Sequence, residues 1–419
     1  MTVTLEPRPV DYRELMKKVE RFVEDLERSD DVAGTLHFAA AAIVAEFRDE
    51  LGIYGGRLYK RQGKDYVLQG TFADAKPLAP GLRVPRSYPP LELCCIEGTA
   101  YLEAHDPSVD RELEERLGVN EFACVEVGDE SYILAFNVAP GHNRDDILFS
   151  LGILRHSINQ KLRQERLQEV LREAHKIQMS ILPRRIPEFP PYDLAGRSVP
   201  LESVGGDYYD FIPISDKICG VAIADVTGHG LPAALQVRDV YMGLRMGMER
   251  DFKIVRTVER LNHIIHGSSL TSRFVSMVYG ELEINGNFIY VNAGHPPPFH
   301  MTASGEATQL TEGGVVLGPI PDTTYERGFV RFHPGDLLVF YTDGITETMG
   351  WPDDADGQTT GRSEEFGLER LIETVRSLQG RTAREIVDAV FARIERFSGG
   401  RAARDDRTLV VVFNPPEAE

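Results

Sequence analysis

At 419 residues the chain is longer than one hydrophobic core usually sustains, so two or three domains are expected. A hydrophobic content of 42% and an aromatic content of 9% are ordinary for a folded globular protein. Acidic residues outnumber basic ones by 65 to 46, and the net charge of −19 disfavours nucleic acid or an anionic membrane as the main partner, leaving other proteins as the better expectation.

The opening residues, Met1 to Pro7, hold no basic region followed by an apolar stretch, so no signal peptide is expected. The most apolar helix-like run, His37 to Phe47, is too short to cross a bilayer. Cys94, Cys95, Cys124 and Cys219 have neither zinc nor disulfide-framework spacing, and a soluble cytoplasmic protein is the consistent expectation. Residues 11–150 read as an α/β module. A helix is predicted near Val32 to Leu51 and strands at Gly52 to Tyr59 and Tyr66 to Thr71, followed by a short helix near Ser108 to Leu117 and strands at Cys124 to Val127 and Ser131 to Asn137. Helix, antiparallel strands and an outgoing helix in this order resemble a GAF-type sensory domain, which implies a small-molecule or protein ligand.

Residues 151–183 form a long helical linker. Leu167, Val170, Ala174, Ile177 and Ile181 recur at spacings of three and four, the seam of a coiled coil, and predict a homodimer. Leu151, Leu154, Ile158 and Leu162 form a second stripe upstream. The step from Leu162 to Leu167 breaks the phase, which is either a local unwinding of one coiled coil or a handover between two packing surfaces. Pro183, Pro187, Pro190 and Pro191 then end the helix.

In residues 191–414, strands are predicted at Tyr192 to Val199, Tyr208 to Ile214, Ile218 to Asp225, Val275 to Ile284, Asn287 to Asn292, Tyr325 to Phe332, Leu337 to Tyr341 and Leu409 to Phe413. Helices are predicted at Leu231 to Met248, Ile254 to His266, Leu368 to Leu378 and Ala383 to Phe397. Helix pairs falling between runs of strands suit two stacked sheets flanked by helices, so the fold class expected is α+β with an α-β-β-α sandwich in this segment.

Four aspartates stand in four short motifs here: Asp207 in Gly-Gly-Asp-Tyr-Tyr-Asp, Asp225 in Asp-Val-Thr-Gly-His-Gly, Asp343 in Thr-Asp-Gly-Ile-Thr-Glu and Asp405 in Asp-Asp-Arg-Thr. Apolar runs end at Asp225 and at Asp343, and another begins after Asp406, so a sheet would deliver these carboxylates to one place. Like charges that close raise one another's pKa unless a cation neutralises them. Oxygen ligands without Cys or a His pair favour Mg²⁺ or Mn²⁺, and the pattern suggests a two-metal site that activates water for attack on phosphorus.

The same motifs, with Ile177-Gln178, Ile181-Leu182-Pro183, Asn292-Ala293-Gly294-His295-Pro296-Pro297 and Phe366-Gly367, resemble the PPM family of metal-dependent protein serine/threonine phosphatases. The resemblance is to its bacterial branch of sporulation and sigma-factor-regulator phosphatases. It implies that Asp225 bridges two ions, that Asp207 and the Val226 carbonyl bind one of them, and that Asp343 and Asp405 bind the other. Water held between the ions would attack phosphoserine or phosphothreonine directly. It also implies a phosphorylated STAS-domain anti-sigma-factor antagonist as substrate. The alternative is a non-catalytic pseudophosphatase adaptor in a partner-switching pathway.

Asp406, Asp210 and Glu347 are expected to support the primary ligands. His229 and His295 are candidates for a general acid, against loop histidines that only hydrogen-bond to backbone. Gly205-Gly206-Asp207 also begins a diguanylate cyclase signature, but Tyr208-Tyr209 departs from it and a cyclase has no use for Asp343 or Asp405. Cys94-Cys95 lacks adjacent basic residues and reads as packing rather than a redox pair, and the acidic run Asp353 to Asp356 reads as a solvated loop.

Overall fold

The computed structural model describes residues 12–28, 31–183, 185–202, 204–228, 230–248, 253–268, 274–351 and 363–416, and the chain divides into two compact units, 1–170 and 171–419.

The first unit opens with α1 (Tyr12–Leu26) and α2 (Val32–Glu46), then α3 (Arg48–Leu51). Strands β1 (Ile53–Gln62), β2 (Asp65–Ala73) and β3 (Arg83–Pro85) precede α4 (Pro89–Glu97), β4 (Thr99–Leu102) and α5 (Arg111–Leu117). Then come β5 (Phe122–Val127), β6 (Tyr132–Val138) and α6 (Arg144–Met179), a helix that begins seven residues before the predicted linker because Asn143 Oδ1 accepts the Asp145 and Asp146 amides. The strands pair antiparallel in the order β3-β2-β1-β6-β5-β4.

Several elements of this unit are absent from the sequence reading. In α1 the buried Leu15, Val19, Phe22 and Leu26 follow a helical period inside an otherwise charged segment, and α4 starts on two prolines that suit a first turn. The predicted helix over Val32 to Leu51 is interrupted at Phe47. The stripe Leu151, Leu154, Ile158 and Leu162 packs into the core of this unit with Ile43, Leu134 and Phe136.

The second unit contains β7 (Asp193–Val199), β8 (Asp207–Ser215), β9 (Ile218–Val226), α7 (Leu231–Met248), α8 (Ile254–Gly267), β10 (Val275–Glu283) and β11 (Asn287–Ala293). Short strands β12 (Phe299–Met301), β13 (Ala307–Gln309), β14 (Gly313–Gly314) and β15 (Gly328–Arg331) lead to β16 (Leu337–Tyr341) and α9 (Asp343–Thr346). A small ladder of β17 (Met349–Gly350) and β18 (Glu364–Glu365) precedes α10 (Gly367–Arg376), α11 (Ala383–Ser398) and β19 (Arg407–Phe413). Among the described residues, β14-β11-β10-β9-β8 with β15 beside β11 make one sheet and β13-β12-β16-β19-β7 the other.

Three apolar cores separate the layers. Alternate residues of β8, β9 and β11 meet alternate residues of β16 and β19 between the sheets, where Phe288 and Phe340 pack edge to face at 6.0 Å. The opposite faces pack on α7 and α8 in one case and on α10 and α11 in the other. Both faces of β9 are therefore covered, which is why Val221 to Ala224 read as an unbroken apolar run rather than an alternating one. No helix among the described residues is long and apolar enough to cross a membrane.

Candidate functional site

Strand parity brings the carboxylates to one end of the two facing sheets. Tyr209, Phe211, Val221 and Ile223 face the second sheet, and the period of two puts Asp207 and Asp225 on the same side. These two aspartates are direct cross-strand partners, an opposition of like charges that is destabilising when nothing compensates it. On the second sheet the inward parity of Leu338 and Phe340 continues to Thr342, and that of Val410 and Val412 runs back to Thr408 and Asp406.

Asp207 is 3% exposed, and its Oδ2 accepts hydrogen bonds from Thr342 Oγ1 at 2.8 Å and Thr408 Oγ1 at 2.6 Å. A carboxylate of one sheet is thus oriented by two hydroxyls of the other. Asp406, equally buried, accepts the Leu201 amide at 2.6 Å on Oδ1, and the Gly206 and Asp207 amides at 2.5 and 3.3 Å on Oδ2. Its carboxylate ties the approach to β8 onto the start of β19. From the other side, Gln178 in the last turn of α6 donates from Nε2 to the Gly205 carbonyl at 2.5 Å and accepts the Gly205 amide on Oε1 at 3.0 Å. A Cβ at Gly206 would stand 2.7 Å from the Val226 carbonyl oxygen, so only glycine lets that carbonyl approach the residue preceding Asp207. Thr342, Thr408 and Gln178 are not among the site residues expected from the sequence. Their signal lay in the quoted motifs, one residue before Asp343, three after Asp405, and in the Ile-Gln pair.

Asp343 does not sit on a strand: it opens the short helix α9, with Thr342 as the preceding cap residue. Asp405 is exposed and accepts the Asp406 amide at 2.8 Å. Glu347 and Asp405 line one cavity of about 230 Å³, shared with Gly344 and Arg404.

Burial, followed by the Asp225 charge, holds Asp207 well above the usual carboxylate range. Burial also pushes Asp225 up to about 7, with Asp343, Asp405 and Asp406 adding to it. Asp343 is raised by burial and then by Asp405, and Glu347 by burial and then by Asp343. These carboxylates therefore sense one another. Among the described residues no three His, Cys, Asp or Glu side chains converge closely enough to form a metal cage as placed. The donor set still fits hard divalent cations: it is oxygen throughout, and its charges oppose ionisation until a cation relieves them.

Two expectations need correction. Asp210 lies three residues from Asp207 and so takes the opposite face of β8, where it accepts from Arg245 Nη2 of α7 at 2.7 Å and from the Tyr208 hydroxyl at 3.0 Å. It supports the helix layer rather than the carboxylate cluster. His295 is buried with Nδ1 2.8 Å from Ser276 Oγ and Nε2 3.2 Å from the Tyr341 carbonyl oxygen. Burial pushes its pKa down to about 3, which favours the neutral ring, and with both nitrogens engaged it joins β10 to β16 rather than facing the carboxylates. His229 and the run Asp353 to Asp356 lie outside the described residues.

The family described as Stage II sporulation protein E (SpoIIE) matches residues 215–413, a range that includes Asp225, Asp343 and Asp405 and begins just after Asp207. The chain is 27% identical over 337 residues to Protein IcfG of Synechocystis sp., covering 69% of this chain and 49% of that protein, so it spans about half the length of this relative. It is 28% identical over 251 residues to phosphoserine phosphatase RsbU of Bacillus subtilis, covering 59% of this chain and 71% of the relative. Among solved structures, the SiaA-PP2C domain of Pseudomonas aeruginosa shares the fold with a TM-score of 0.51 at 20% identity, over 60% of this chain and 98% of that domain. Residues 215–413 thus match the SpoIIE family model, and the chain is similar there to the phosphoserine phosphatase RsbU.

Proposed function

We propose that the second unit is a divalent-metal-dependent phosphoprotein phosphatase acting on phosphoserine or phosphothreonine. The observation that carries this reading is the carboxylate set Asp225, Asp343 and Asp405, where Asp225 is pushed to about 7 by burial and by its acidic neighbours. Such a set is at ease at neutral pH with a hard cation among its oxygens. Asp207, Asp225, the Val226 carbonyl, Asp343 and Asp405 would hold two Mg²⁺ or Mn²⁺ ions. When bound, such ions lower the pKa of water and neutralise charge that develops on phosphoryl oxygens.

The chain's own residues prepare that site. Thr342 and Thr408 stabilise the ionised, correctly turned Asp207. Asp406 and Gln178 fix the 201–207 segment from two sides, and Gly206 admits the Val226 carbonyl. Intact carboxylates at all four positions weigh against a pseudophosphatase. The name of the RsbU relative supports a phosphoserine substrate. A phosphorylated STAS-domain protein, cytoplasmic location, a GAF-like sensor over 11–150 and a homodimeric linker complete the proposal. Gln178 offers a route of regulation, because the last turn of α6 holds the segment that leads into Asp207.

The test is Mn²⁺-dependent phosphate release from a phosphorylated STAS-domain protein by the full chain and by Asp225→Asn. Loss of at least roughly a hundredfold in kcat/KM is expected for the variant. Metal-independent turnover, or turnover that survives in Asp225→Asn, overturns the reading; no turnover and no Mn²⁺ binding favours the adaptor.

A further inference from the structure

A cavity of about 520 Å³ in the first unit, within the range of roughly 300–1,000 Å³ typical of small-molecule sites, lies where the turn between β1 and β2, the residues after β3, α4 and the turn between β5 and β6 meet. Its walls include Arg61, Lys64, Arg86, Cys95 and Glu130. The frame is fixed by backbone bonds: the Arg86 amide donates to the Lys64 carbonyl at 2.9 Å and the Arg61 amide to the Ser131 carbonyl at 2.8 Å. The Tyr66 hydroxyl donates to the Glu130 carbonyl at 2.9 Å and lies 3.3 Å from Cys95 Sγ.

The charges in this cavity do not balance. One oxygen, Glu130 Oε2, accepts from both Arg61 Nη1 at 2.9 Å and Arg86 Nη2 at 2.6 Å. A single carboxylate shared by two guanidinium groups leaves one positive charge over, and Lys64 adds another with no ion-pair partner among the described residues. Glu92 on the rim offsets one of the two. The result is a net positive pocket on a chain of net charge −19. Each guanidinium has five N–H donors, and the two bonds to Glu130 use one apiece.

Glu130 is placed by the turn between β5 and β6. It and Asp129 are the two central residues of that turn, with φ of 61° and 53°, and the Ser131 amide closes it on the Gly128 carbonyl at 3.1 Å. Every polar group of Glu130 is engaged: its amide donates to Glu126 Oε1 at 2.5 Å, its carbonyl accepts from Tyr66, and its carboxylate accepts from the two arginines. The turn thus sets a carboxylate between two guanidinium groups, holding one edge of each while most of their donors stay unspent.

We infer that the Arg61, Lys64 and Arg86 cavity binds a small phosphorylated molecule, with the two guanidinium groups and the ammonium on its phosphoryl oxygens. Charge-assisted bonds from paired arginines match phosphoryl geometry, and the pocket is wide enough for an organic remainder against Cys95 and Ile96. This site is independent of the phosphatase reading.

Calorimetric titration of the full chain, freed of metal by dialysis so that the carboxylate cluster carries no cation, with pyrophosphate as probe is the test. One saturable site is expected, weakened about tenfold or more by Arg86→Ala and by Lys64→Gln and unchanged by Arg83→Ala, whose guanidinium pairs with Asp65 outside the cavity. Lys64 is exposed on a hairpin turn, so its replacement leaves the core untouched, and an unchanged thermal midpoint checks this. Absence of binding at millimolar pyrophosphate, or binding that Lys64→Gln and Arg86→Ala leave unchanged, overturns the proposal. Equal affinity for citrate would overturn the phosphoryl preference.

Discussion

Asp207 is the residue on which the two sheets meet, and the Thr342 and Thr408 hydroxyls favour its ionised form. Replacing Thr408 by valine keeps the shape and removes one hydroxyl from a buried carboxylate. The expected outcome is a loss of about 1–3 kcal/mol in unfolding free energy, and a rise in the Mn²⁺ concentration giving half-maximal activity. Urea denaturation and a metal titration measure the two, and an unchanged metal requirement would contradict the role given to this hydroxyl. Residue-level reasoning from sequence reached Asp207 and Asp225 through their motifs. It misplaced Asp210 because nearness along a strand is not nearness in space: three residues on, the side chain leaves from the other face.

At the level of elements, α6 presents two apolar stripes with different fates. Leu151, Leu154, Ile158 and Leu162 are sequestered in the first unit, whereas Leu167, Val170 and Ile177 are 61%, 54% and 63% exposed. The helix is continuous through the phase break, so the change from Leu162 to Leu167 is a change of packing surface without an interruption of the backbone. Leu154→Asp should therefore cost about 3–5 kcal/mol by burying an unpaired charge, and should melt the first unit. Leu167→Asp should shift the fold's stability by no more than about 0.5 kcal/mol. If the exposed stripe is the dimer seam, the same change should turn a dimer into a monomer in sedimentation. A thermal midpoint equally depressed by both variants would show that the exposed stripe is also core. The helix period was legible; which stripe is buried was not, because both are equally apolar.

Across the whole molecule, two groups respond to pH in opposite directions. His295 titrates near 3 in the folded chain against 6.5 ordinarily, so below 6.5 the unfolded state takes up a proton that the folded state refuses, and stability falls by about 2 kcal/mol on going to pH 5. Asp225 titrates near 7 against 3.8, so the metal-free folded state takes up a proton between these values that the unfolded state does not, and stability rises as pH falls through that window. Solvent reaching this part-exposed carboxylate reduces its contribution to the order of 1–2 kcal/mol. Metal-free Asp225→Asn should therefore lose stability more steeply than the wild type between pH 7 and pH 5 in urea denaturation, and parallel curves would show that Asp225 does not feel its acidic neighbours. The sequence by itself determined the long strands and most helices of the second unit, through apolar runs and helical periods, and it marked the aspartates through their motifs. Those are local signals, set by propensity and by the face each residue must bury. The tertiary structure alone decided that Thr342 and Thr408 hold Asp207, across separations of 135 and 201 residues. It likewise made His295 a buried tie and brought Arg61, Arg86 and Glu130 into one cavity. Directional hydrogen bonds between distant segments exist only once the sheets have stacked, and no periodicity in the chain encodes which ones will form.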